Sequence, residues 1–62
     1  MHIEAKFIKP LVDKKTWVTL FLMNGFQMRG IITDYDEEAI LFNCEGTEQM
    51  IYKHAISTVK PN

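Results

Sequence analysis

A chain of 62 residues holds one domain. With 47% hydrophobic residues and a formal charge of −1, it lacks the strongly basic balance that would by itself announce nucleic acid. No apolar run approaches the roughly 20 residues of a membrane span, a lone cysteine excludes an intrachain disulfide, and no Cys/His spacing suggests zinc.

Residues 3–15 place Ile3, Phe7, Ile8 and Leu11 at helical spacing. They predict a helix that Pro10 either kinks or starts, because proline lacks the backbone donor and crowds the preceding turn. From Thr16 the vocabulary turns β-branched and aromatic. Residues 16–23 and 26–35 read as strands joined by Asn24-Gly25, a two-residue type I′ turn whose central residues both need positive φ. Residues 39–44 and 48–54 read as a second hairpin with a longer turn around Gly46, and residues 56–59 as a last strand ended by Pro61. Gly30 in mid-strand predicts a bend or bulge that curls the sheet. The fold expected is mainly β, a short N-terminal helix followed by a small five-stranded barrel over residues 16–59. A domain of this size buries only about 60% of its unfolded surface. Oligomerisation is the staple left to it, and open sheet edges are where partners join.

A two-residue turn fixes the register. It sets Met23 opposite Phe26 and Phe21 opposite Met28, with Leu22–Gln27 and Leu20–Arg29 on the other face. The cluster of Phe21, Met23, Phe26 and Met28 serves equally as a core or as a platform for unstacked bases, each stack being worth roughly 1–3 kcal/mol. In the second reading Gln27 and Arg29 supply the hydrogen-bonding edges. Composition leaves both open.

Charge is polarised along the chain. Residues 1–15 carry Lys6, Lys9, Lys14 and Lys15 against Glu4 and Asp13, while Asp36, Glu37, Glu38 and Glu45 gather in residues 36–47 without a cation. Three consecutive acids at a turn read as a solvated loop. Cys44 reads as a small buried hydrophobe. Tyr52, Lys53 and His54 have no nucleophile partner, so no catalytic residue, metal site, cofactor or small-molecule substrate is expected. Lys53 and His54 nonetheless close an otherwise apolar run. They are either ordinary solvent-facing residues or the lining of a place where an anion comes.

"FLMNGFQMRG" (21–30), "YD" (35–36) and "IYKHAIST" (51–58) resemble Hfq, the bacterial Sm-like RNA chaperone family. The resemblance spans residues 16–61 closely and 3–15 loosely. It implies a strongly bent antiparallel barrel whose fourth strand pairs with the fifth of the next subunit, closing a cytoplasmic homohexameric ring. Around such a ring Lys53 and His54 repeat at a central pore, so a faintly acidic chain still concentrates positive charge locally. The proximal face of the family takes U-rich ends of small RNAs, and its matching positions are Tyr52, Lys53 and His54. The distal face takes A-rich RNA. Its matching positions are Phe21, Asn24, Gly25, Phe26, Gln27, Met28, Arg29 and Thr58, with Gln49.

The departures from the family pattern matter as much. Glu38 stands where the family has an aromatic that stacks on uracil, and Glu4 replaces a glutamine that reads it. The basic rim patch becomes Val12, Asp13, Lys14 and Lys15. Glu4 and Glu38 set two acids against each Lys53 around the pore, and each close like-charge contact with phosphate costs about 1 kcal/mol even in water. The expectation is a non-enzymatic chaperone that pairs small RNA with mRNA, with a working distal face and a weakened proximal one. The alternative is a protein-interaction subunit that mixes into rings of an intact paralogue and lowers their activity. A peptide-binding SH3-like barrel predicts a monomer instead.

Overall fold

The computed structural model describes residues 2–62, with side chains from residue 5. It consists of α1 (His2–Asp13), β1 (Trp17–Leu22), β2 (Gln27–Tyr35), β3 (Ala39–Cys44), β4 (Thr47–Tyr52), a 3₁₀ turn (Lys53–Ala55) and β5 (Ile56–Pro61). The strands form one antiparallel sheet in the order β4-β3-β2-β1-β5. Val18, Leu20, Ile32, Ile40 and Phe42 are fully buried on its inner side, and Ile8 and Leu11 of α1 close over them. This is the mainly β architecture expected.

Pro10 does not start the helix. It lies inside α1, on the exposed side, and its own carbonyl accepts the Lys14 N–H at 3.0 Å. Apolar contact from Ile8 and Leu11 holds the segment helical despite the missing donor. An interior proline costs up to about 3 kcal/mol relative to alanine, partly offset by the restriction it places on the unfolded chain. Pro10→Ala is therefore expected to raise the thermal midpoint by about 5 °C or more in a melt followed by circular dichroism, a domain of this size gaining about 4–8 °C per kcal/mol. An unchanged midpoint would show that the ring adds as much as it removes.

The two hairpin turns exchange the types expected of them. Leu22 N–H donates to Phe26 O at 2.8 Å and Gly25 N–H to Leu22 O at 3.0 Å. Met23, Asn24 and Gly25 thus form a three-residue loop, with Gly25 alone in the left-handed region at φ 93°. That is a type I turn closed by a left-handed glycine. Asn24 serves it through its side chain, Oδ1 accepting the Phe26 N–H at 3.0 Å. The tight turn is Glu45-Gly46, where both residues have positive φ, 54° and 81°, and Cys44 pairs directly with Thr47. Asn43 Oδ1 accepts the Gly46 N–H and helps hold Glu45 in its left-handed conformation.

The β2–β3 bulge falls between Ile32 and Asp34 rather than at Gly30. Gly30 answers a different need. A Cβ there would meet Asn43 O at 2.0 Å and the fully buried Phe42 ring at 3.1 Å. A second irregularity between Phe21 and Leu22 adjusts β1 against β5. Bulges of this kind bend and twist a sheet, and both edges, β4 and β5, stay open.

Candidate nucleic-acid interface

The longer first turn shifts the β1–β2 register by one residue. Phe21 pairs with Gln27, Leu20 with Met28 and Thr19 with Arg29. A slip of one residue moves a whole set of side chains to the other face, so the expected cluster of Phe21, Met23, Phe26 and Met28 does not form. Met28 sits half-buried against the core beside Leu20. Met23 and Phe26 project at the hairpin tip, each 69% exposed.

What the register brings together is chemically more varied. Phe21 pairs with Gln27 on β2 and Thr58 on β5, and the next row outward pairs Thr19 with Arg29 and Lys60. By strand alternation all six lie on the face opposite the core residues Val18, Leu20 and Ile32. An aromatic ring, an amide, a hydroxyl and two cations therefore share one surface, while Thr19 in the middle of it is buried. Ser57 and Thr58 hydroxyls approach within 3.2 Å, and Thr19 Oγ1 reaches Asn62 Oδ1 at 3.0 Å. Lys60 lies beyond the strand end expected at Val59, so the sequence pattern does not group it with this face. The strand runs to Pro61, which occupies the sheet's edge strand, where a missing donor is tolerated. Gln49 lies on the other edge, opposite Phe42.

Lys53 and His54 do not end a strand. They form the 3₁₀ turn between β4 and β5 with Ala55, and Tyr52 is the last residue of β4. Tyr52 and His54 stack, with centroids 5.5 Å apart and planes within 10°. Lys53 Nζ stands 5.8 Å over the Tyr35 ring, a cation–π separation. Lys53 also lines a cleft of about 150 Å³ with Ile8, Ile56, Ser57 and Val59. The turn is held from two sides. Its Lys53 N–H donates to Glu38 O at 2.8 Å, and Ala55 O accepts the Met23 N–H at 2.8 Å. Glu38 is thus placed beside the cationic turn through its main chain, with its side chain exposed. The Glu4 side chain lies outside the described residues.

Asp36 organises this loop. Its Oδ1 accepts the N–H groups of Glu38 at 2.8 Å and Ala39 at 2.9 Å. Those bonds, with a smaller contribution from the Lys53 charge, hold its carboxyl below the usual aspartate value. The acid is committed to the turn. Among the described residues no group of His, Cys, Asp and Glu is arranged to hold a metal ion.

Residues 3–62 match the Hfq protein family. The chain belongs to it. It is 48% identical over 61 residues to proteins named RNA-binding protein Hfq from Bacillus cytotoxicus, Bacillus thuringiensis and Bacillus mycoides, an alignment covering 98% of this chain and 82% of each relative. A crystal structure of the pleiotropic translational regulator Hfq matches it with a TM-score of 0.91 at 43% identity, over 94% of this chain and 97% of that one. The Hfq resemblance and the Sm-like fold expected from the sequence are both borne out.

Proposed function

We propose that this Hfq-family chain is a non-catalytic, cytoplasmic RNA-binding subunit. It assembles into a homohexameric ring, holds A-rich RNA on its distal face, and brings small RNA and mRNA together there. The observation that carries the reading is the shared outer face of β5, β1 and β2. Phe21 offers a stacking surface, Gln27 and Thr58 offer hydrogen-bonding groups beside it, and Arg29 and Lys60 stand one row away for phosphate. Stacking plus a basic track is how proteins grip single strands. Phe26, Asn24 and Gly25 shape the adjoining tip, while Met28 acts from beneath through Leu20. Names of the relatives support RNA as the ligand. The open edges of β4 and β5 support assembly, and with it a ring of Tyr52, Lys53 and His54 around a pore. Cys44 remains a free thiol, in keeping with a reducing compartment.

The proximal site is the weaker one. Glu38 supplies a negative charge next to the Lys53 turn where a stacking ring would favour uracil, and the Tyr52 and His54 rings are already engaged with each other. Titrating labelled A-rich and U-rich oligoribonucleotides against the assembled protein at one salt concentration tests the asymmetry. A-rich RNA is expected to bind at least about tenfold tighter, the worth of a single stack. Equal affinities sink the asymmetry, and a species that stays at 7.2 kDa in solution removes the ring itself. The same open edges would admit a related chain, and mixed rings without RNA affinity of their own would move the function from RNA binding to control of a paralogue.

A further inference from the structure

The outer face of β1 does not end at Phe21 and Thr19. Two residues further out stands Trp17, the chain's one tryptophan, 57% exposed. Its placement is firm. It pairs with Ile31 on β2, and its carbonyl accepts the Asn62 N–H at 2.9 Å. Alternation along the strand puts Trp17, Thr19 and Phe21 on one face, with about 13 Å between the first and last Cα. A base lying on Trp17 is therefore a different base from one lying on Phe21. Between the two rings runs the row of Lys60, Thr19 and Arg29. Among the described residues no carboxylate forms an ion pair with Arg29 or Lys60. Positions 17, 19, 21, 27, 29, 31, 58 and 60 include no acid.

We propose that Trp17 is a second stacking platform of the RNA-binding face, taking one further unpaired base at its outer end, with Arg29 and Lys60 neutralising the phosphates that link that base to the one at Phe21. The inference rests on the RNA reading of the Phe21 face and extends it outward. A large indole left in solvent is a surface that gains from being covered. The charge beside it selects a polyanion over an apolar protein contact. Because every base has a π-face, the platform adds affinity while adding little choice among bases. It lengthens the track that the pocket around Phe21 and Gln27 reads.

Having a single tryptophan makes the test direct. The full-length assembled protein is titrated with a dye-labelled A-rich oligoribonucleotide while the dye's anisotropy and the Trp17 emission are followed together. RNA is expected to change the emission in step with the anisotropy and to shield the indole from acrylamide. Trp17→Ala is expected to weaken binding by roughly five- to a hundredfold, the range a single stack spans. Trp17→Phe, which keeps a ring on the strand, retains most of the affinity. Binding seen by anisotropy with unchanged emission, or equal affinity for Trp17→Ala, overturns the proposal and leaves the RNA reading of Phe21 intact. Equal losses in the alanine and phenylalanine variants also overturn it, because stacking would not be what was lost. Absence of any anisotropy change removes both readings.

Discussion

Gly30→Ala is expected to cost the domain about 3 kcal/mol or more, lowering its thermal midpoint by about 12 °C or beyond. The added Cβ would sit 2.0 Å from Asn43 O and 3.0 Å from Asn43 C, both backbone atoms of the neighbouring strand. A flexible side chain could swing aside, but a backbone carbonyl moves only if β3 separates from β2. The same Cβ presses on Phe42, which has no free surface. Overpacking in a well-filled core costs typically 1–3 kcal/mol, and this case has no soft direction in which to relax. At about 4–8 °C per kcal/mol for a domain of this size, the loss is read easily by circular dichroism. Gly25→Ala provides the contrast. Open space surrounds that position, so only the strain of φ 93° opposes a side chain, an effect of about 1 kcal/mol. If the two variants melt together, the β2–β3 approach is looser than the geometry requires.

Glu38→Phe, alone and with Glu4→Gln, is expected to raise affinity for U-rich RNA by roughly thirtyfold to several hundredfold. Two effects add. An aromatic ring supplies a stack worth roughly 1–3 kcal/mol, and removing the carboxylate relieves about 1 kcal/mol of repulsion toward phosphate. The backbone at position 38 is tied on both sides, its N–H to Asp36 and its carbonyl to the Lys53 N–H. The side chain is exposed, so exchanging it leaves those bonds in place. Affinity for A-rich RNA should stay as it was, because the Phe21 face is built from other strands. A double variant that still ignores U-rich RNA would show that the proximal positions are wrongly mapped.

The strand-rich character of residues 16–59 was legible from β-branched and aromatic residues, and the family from "YKHAIS" and the Asn-Gly hairpin. Turn type was not. Asn24-Gly25 suits a two-residue loop and equally a three-residue one, since Gly25 supplies the positive φ that either requires. Only the Leu22–Phe26 pairing chooses between them. That single choice decides which of Phe21 and Met28 faces outward. Glu45-Gly46 carried less signal for a tight turn because glutamate seldom takes positive φ, and the Asn43 side chain that helps it do so lies outside the dipeptide. Pro10 misled for a related reason. Local propensity argues against a helix there, while Ile8 and Leu11 anchor one to the core. At the candidate site, Phe21, Gln27, Arg29 and Thr58 are visible in the sequence as residue types, but their grouping on one face depends on register.

The 3₁₀ turn has a consequence for how the protein could be altered. One of its anchors reaches Met23 at the hairpin tip, and the other reaches Glu38 in the acidic loop. Like a rivet through two plates, this three-residue segment fastens the β1–β2 hairpin tip to the acidic β2–β3 loop. Loosening either end disturbs both loops at once, so an exposed side chain such as Glu38 can be exchanged more safely than the main chain of the rivet.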